Sequence, residues 1–191
     1  MKKQGHKAWA VIFDWDGVII DSSRQHEQSW DIVAERYGLP LPEGHFKRGF
    51  GMKNEKIIPE VLQWTTEPEE VRKWADIKEA TYREIITADG LEPLPGVTGL
   101  LDGLMEREIP CAVGSSTPRE NLECALGLLG FRDAFRELVA GDDVVNGKPA
   151  PDIFLTAAER LGIEPGQSIV IEDAHVGIEA AKRAGMPVVA V

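Results

Sequence analysis

The sequence predicts an α/β fold, a parallel sheet covered by helices on both faces, interrupted by an all-helical insertion. Three observations predict it. Short continuous apolar runs recur along the chain, helical patterns separate the last four of them, and the interval after the first run is far too long for one crossover helix.

The first run, residues 8–13 (AWAVIF), is apolar throughout, as a strand buried on both faces requires. The basic stretch from Met1 to Lys7 gives it a superficial likeness to a secretion signal. The apolar part stops at Asp14, however, and no small-residue cleavage site follows, so it is read as a strand. Next, Ser22-x-x-Gln25 has the form of a capping box and opens a helix to about Tyr37. Residues 53–64 carry a second helical pattern. Thr66-x-x-Glu69, with Pro68 between, opens a third, on which Val71, Trp74, Ala75, Tyr82, Ile85 and Ile86 share one face. Residues 91–96 (LEPLPG) read as the return to the core. The expected organisation is a core of residues 1–21 and 93–191 with a helical insertion over 22–92.

The later strands are expected at residues 109–113 (IPCAV), 138–140, 168–171 (SIVI) and 187–191 (PVVAV). Thr117 as N-cap, Pro118 at the first helical position and Glu120 three residues after the cap open a helix through about Leu129, stopped by Gly130. Residues 151–161 form another helix, ended at Gly162. Residues 176–184 form a third, with Lys182 and Arg183 in its last turn and Gly185 as its stop. The chain reaches Val191 in the fifth strand, so that edge of the sheet is expected to be less covered.

At 191 residues, 43% hydrophobic and 28% charged, the chain can bury a sizeable core and is not a disordered segment. Its 21 cations against 32 anions leave a formal charge of −11, which repels nucleic acid and anionic lipid. No apolar run approaches the roughly 20 residues that a membrane span needs. Cys111 and Cys124 have neither zinc-ligand spacing nor the density of a disulfide framework, so the expected setting is reducing and cytoplasmic. The expected partner is a small molecule, with no nucleic acid and no membrane, and the expected state a monomer or weak homodimer.

Ligands of parallel α/β folds bind beyond the carboxyl ends of the strands. Asp14-Trp15-Asp16-Gly17 follows the first strand, and Gly114-Ser115-Ser116-Thr117 follows the second. Lys148 lies in Asn146–Asp152, between the third and fourth, and Glu172-Asp173 follows the fourth. A parallel sheet would bring all four clusters to one edge. There Asp14, Asp16, Glu172 and Asp173 against Lys148 sum to −3. Carboxylates so packed must take up protons or share a cation. A few all-oxygen ligands with room for phosphate and water suit Mg²⁺ better than Ca²⁺. Ser115 to Thr117 precede a helix N-terminus, where hydroxyls, amide N–H groups and the dipole favour an anion. This is the equipment for phosphoryl transfer through a covalent aspartyl phosphate.

The ordered set FDWDG (Phe13 to Gly17), Ser115, Lys148 in GKPAPD (Gly147 to Asp152) and IEDAHVGIEAA (Ile171 to Ala181) resembles the haloacid dehalogenase superfamily of phosphohydrolases over the whole chain. The resemblance implies an α/β core with an inserted helical cap that selects substrate, and Mg²⁺-dependent hydrolysis of a small phosphorylated metabolite. It implies that Asp14 is the nucleophile and Asp16 the general acid and then base. Ser115 would hydrogen-bond the phosphoryl group, with Ser116 beside it, and Lys148 would neutralise charge. Asp14, Asp173 and the backbone carbonyl of Asp16 would bind the metal, with Glu172 helping. The presence of Asp16 argues against dehalogenase or phosphonatase chemistry, whose enzymes lack that acid. A phosphosugar mutase of the β-phosphoglucomutase kind is the leading alternative, and a receiver-like signalling module is the alternative from another class.

The same residues have plainer readings. Thr117 is read as the helix cap, Asp173 as metal ligand and cap together, and Asp21, Asp142, Asp143 and Asp152 as turn, cap or surface residues. His26, with Trp30 beyond it, matches the layout of the mutase group and reads equally as a substrate contact or a structural histidine. Arg48, Lys53 and Asn54 are substrate-binding candidates, although exposed helix cations are the commoner role for Arg48, Lys53 and Lys56. The mutases carry an arginine after the second glycine of this region to hold a distal phosphate. Here Gly51-Met52-Lys53-Asn54 places Lys53 or Asn54 there. Trp64 and Trp74 are read as core of the insertion.

Overall fold

The computed structural model describes residues 9–49 and 52–191. The basic stretch Met1 to Lys7, Ala8 of the first apolar run, and Gly51 lie outside the described residues. In chain order the elements are β1 (Ala10–Phe13), α1 (Ser23–Tyr37), α2 (His45–Gly49), α3 (Asn54–Lys56) running into a π-helical turn (Ile57–Leu62), and α4 (Pro68–Asp89). There follow α5 (Val97–Glu106), β2 (Cys111–Gly114), α6 (Arg119–Leu129), β3 (Glu137–Val139), α7 (Asp152–Leu161), β4 (Ser168–Glu172), α8 (His175–Arg183) and β5 (Val188–Ala190). They divide into two compact units, one of residues to Asp21 with Leu91–Val191, the other of Ser22–Gly90.

The first unit is built on a five-stranded sheet, parallel throughout, in the order β3-β2-β1-β4-β5. Its middle strand is β1, paired through Val11 with Cys111 on one side and Ile169 on the other. All four β1 residues are buried, which is why the run carries no polar alternation. Ile12, Ala112, Val139 and Val170 pack against Phe154, Ala157 and Ala158 of α7 and Ala180 and Ala181 of α8. The alanines on α7 and α8 let those helices approach the sheet closely. On β5, Val189 is 49% exposed.

In the helical unit the described core joins Trp30 of α1 to Ile57, Ile58, Val61 and Leu62 of the π-helical turn and Val71 and Ala75 of α4. Trp64 and Trp74 pack against it edge to face, their ring centroids 5.9 Å apart. No helix among the described residues is long and apolar enough to cross a membrane. Cys111 and Cys124 are both free thiols.

Several local expectations are corrected. Residues 53–64 do not form one α-helix. Only Asn54–Lys56 is α-helical before the ladder widens over Ile57–Leu62, with Pro59 inside that stretch and unable to donate an N–H. The sequence pattern predicts neither α2 nor α5, the second because Gly99 and Gly103 interrupt it. Neither serine–threonine box forms as read. Ser22 caps α1 by position without a side-chain bond, and Glu67 rather than Thr66 is the N-cap of α4. The Thr65 hydroxyl instead accepts the Glu67 N–H and donates to Glu70. Ala174, not Asp173, is the N-cap of α8.

Candidate active site

Two backbone bonds extend the sheet ladder by one residue at the site. The Asp14 N–H donates to the Ile171 carbonyl at 3.0 Å, and the Ser115 N–H to the Val139 carbonyl at 3.0 Å. Between Asp14 and Asp16, Trp15 is completely buried and meets Phe135 edge to face at 6.5 Å. Its ring anchors the loop in the core, and backbone N–H groups of Ile19 and Ile20 close the turn on the Trp15 carbonyl. Gly17 has φ +83°, and a Cβ there would collide with the Asp173 carboxylate. The DxDG spacing is therefore a packing requirement as well as a chemical one.

Lys148 lies at the centre of the charges. Its buried ammonium stands 2.9 Å from Asp14 Oδ1 and 2.7 Å from Glu172 Oε2. Burial alone would lower its pKa, but Asp14 and Glu172 outweigh that and hold it above the ordinary lysine value. Glu172 is fully buried, and its other oxygen accepts the Ala174 N–H at 3.0 Å. Burial first, and the Asp14 charge second, push its carboxyl up to about 7 despite Lys148. One oxygen each from Asp14, Glu172 and Asp173 converge within 4.8 Å of one another. Asp14 Oδ1 is buried, with the Lys148 ammonium as its near cation. Three carboxylates converging in this way offer the all-oxygen ligand set that fits a hard divalent ion.

The second group is a chain of hydroxyls. Ser115 Oγ donates to Thr117 Oγ1 at 3.1 Å, and Thr117 Oγ1 donates to Asp16 Oδ2 at 2.5 Å. This corrects the reading of Thr117 as a helix cap. The N-cap of α6 is Pro118, and the first N–H of the helix, that of Arg119, is satisfied by Asp142 Oδ2 at 2.9 Å. Ser116 is exposed, and its carbonyl lies against Gly141, where a Cβ would collide with it.

The remaining candidates belong to the helical unit. His26 stacks on Tyr82 at 4.0 Å, and its Nδ1 accepts from the buried Lys78 ammonium at 2.7 Å. Burial and then Lys78 lower the His26 pKa to about 3, so the ring is neutral. Lys78 also contacts Glu79 Oε1 at 2.9 Å, and the Asn54 amide donates to the same oxygen at 2.6 Å. Arg48 and Lys53 are exposed. The sequence signal for Lys78 is a charge on the apolar stripe that runs Val71, Ala75, Tyr82, Ile85.

One packing consequence is testable. On α8, a Cβ at Gly177 would collide with the Glu172 carboxylate. Gly177→Ala is expected to push Glu172 off Lys148 and to cost about 1–3 kcal/mol of stability. Urea unfolding midpoints of the two proteins check this.

Residues 11–191 match the family described as haloacid dehalogenase-like hydrolase. Over 190 residues the chain is 40% identical to the chloroplastic 5-amino-6-(5-phospho-D-ribitylamino)uracil phosphatase of Arabidopsis thaliana, covering 95% of this chain. It spans about half the length of that relative, 49%. It is 35% identical to the fructose-1-phosphate phosphatase of Escherichia coli, with 94% of each protein covered. The crystal structure of β-phosphoglucomutase from Clostridium difficile superposes with a TM-score of 0.82 at 28% identity, over 96% of this chain and 84% of that one.

Proposed function

The chain belongs to the haloacid dehalogenase-like hydrolase family, and we propose that it is a Mg²⁺-dependent phosphatase of a small phosphomonoester that works through an aspartyl phosphate on Asp14. The observation that carries the reading is the Lys148 ammonium held between Asp14 and Glu172 beside three converging carboxylates. Glu172 is committed on both oxygens, and Asp173 is exposed. Asp14, just past the end of the middle strand, is assigned the attack because it occupies the nucleophile's place in the family motif.

In the first step an Asp14 oxygen forms a bond to phosphorus while the bond to the leaving oxygen breaks. Asp16 gives that oxygen its proton. In the second step Asp16 takes a proton from water as the water oxygen attacks the same phosphorus, releasing phosphate and restoring Asp14. Ser115 donates to a phosphoryl oxygen, and Lys148 offsets the negative charge that gathers around Asp14. Asp14, Asp173 and the Asp16 carbonyl, with Glu172 behind them, would hold Mg²⁺, which supplies charge neutralisation for the phosphoryl oxygens. The helical unit is assigned the choice of substrate.

The similarity to a β-phosphoglucomutase favours a second reading, in which Asp14 passes its phosphoryl group to a sugar hydroxyl. Against it, the position where the mutases carry a distal-phosphate arginine falls on Lys53 or Asn54, and the Asn54 amide is engaged with Glu79. A hexose 1-phosphate is therefore expected to yield free phosphate and free sugar, assayed by phosphate release and sugar chromatography. EDTA is expected to stop the reaction, and excess Mg²⁺ to restore it. Accumulation of isomerised sugar phosphate would assign the mutase reaction instead.

A further inference from the structure

In the hydroxyl chain between the second strand and the first, Ser115 Oγ has a backbone duty as well, accepting the Thr117 N–H at 3.3 Å, whereas the Thr117 hydroxyl serves side chains alone. Thr117 is buried, and its backbone is held without its side chain. Its carbonyl accepts the Gly141 N–H at 3.0 Å, and Gly141 in turn is packed against the Ser116 carbonyl. The α6 N-terminus that a threonine would ordinarily cap is served by Asp142. What remains for the Thr117 hydroxyl is its pair of bonds, accepting from Ser115 Oγ at 3.1 Å and donating to Asp16 Oδ2 at 2.5 Å. A hydroxyl has a single proton, so donation to Asp16 turns a lone pair toward Ser115. The two bonds thus define each other.

We propose that Thr117 is a positioning residue which fixes the Asp16 carboxylate for proton transfer to the leaving oxygen and ties that orientation to the Ser115 hydroxyl. The inference rests on the acid–base role assigned to Asp16 above. Asp16 is half-buried, and the bond from Thr117 restrains the turning of its carboxylate about χ1 and χ2. General acid catalysis tolerates little of this, because the proton must lie within hydrogen-bond reach of the oxygen that leaves. Ser115 is the reporter on the other side. When its proton is drawn to a phosphoryl oxygen, Thr117 loses the bond it accepts and keeps the bond it donates, so Asp16 remains aimed while the phosphoryl group is bound.

The role has a signature that a merely structural residue lacks. An alkyl phosphate needs its leaving oxygen protonated, whereas p-nitrophenolate leaves without a proton. Thr117→Val removes the hydroxyl at nearly constant shape. In single-turnover measurements of leaving-group release, this variant is expected to slow an alkyl phosphomonoester by about tenfold or more, a fraction of the 10²–10⁴-fold that a general acid contributes. p-Nitrophenyl phosphate is expected to change by less than about threefold. Thr117→Ser, which keeps the hydroxyl, is expected to restore most of the alkyl rate. Equal loss on both substrates, no loss on either, or failure of the serine variant to recover the alkyl rate would overturn the assignment. If the unaltered protein released neither leaving group, the hydrolase reading would fall, and this assignment with it.

Discussion

Asp14→Asn is expected to abolish turnover, lowering kcat by at least roughly 10⁴-fold, as loss of a covalent nucleophile does. The amide is nearly the same size and stays on the Ile171 carbonyl through its backbone N–H. What it lacks is a nucleophilic anion and the full charge opposite Lys148. The fold is expected to survive, because removing one carboxylate also removes repulsion from Glu172 and Asp173, and Lys148 keeps Glu172 at 2.7 Å. Acid-quenched enzyme mixed with ³²P-labelled substrate should carry label in the unaltered protein and none in the variant. Label retained by Asp14→Asn, or turnover within about tenfold of the original, would remove Asp14 from its assigned role.

The second large effect is expected at Lys148. Lys148→Met keeps an apolar stem of similar length and deletes the ammonium between two buried carboxylates. Breaking a buried ion pair by removing one partner costs about 3–5 kcal/mol, and loss of a preorganised cation at the reacting group costs about 10²–10³-fold in kcat. The stability loss should depend on pH. Glu172 already stands near 7 with the ammonium present, and the ammonium is what holds it down, so the variant raises it further. A carboxyl whose folded pKa exceeds its unfolded value binds its proton more tightly when folded. Stability is therefore retained below about pH 4.5, the unfolded value, and lost as pH rises toward the folded one. In metal-free buffer the variant is expected to melt higher at pH 5.5 than at pH 8, and scanning calorimetry at the two pH values checks the sign.

The parts of this molecule that could be read in advance are those where residue chemistry and chain position coincide. Asp14 and Asp16 stand just past an uninterrupted apolar strand, and Glu172-Asp173 and Lys148 stand at equivalent points of later units, so parallel topology alone gathers them. The misread parts are those where a local pattern has two meanings. Thr117-x-x-Glu120 has the form of a capping box, yet its hydroxyl is taken by Asp16, 101 residues away. No nearby residue announces that competition. Helix α5 is hidden by its two glycines, and its stability comes from buried Val97 and Leu101 rather than from propensity. In the insertion, the pattern over 53–64 carries the right hydrophobic face, but Pro59 decides the ladder geometry that serves it.

Strand β1 has a consequence for biosynthesis. Its two neighbours in the sheet are residues 111–113 and 168–171, so this strand leaves the ribosome well before either segment that flanks it. Ser22–Gly90 is contiguous and can gather its own core as it emerges. The catalytic edge cannot, because Glu172 and Asp173 complete it more than 150 residues after Asp14 appears. Nascent chains are thus inert until Glu172 and Asp173 have emerged. Until then the apolar β1 segment lacks one of its two neighbouring strands and stays open to wrong pairing.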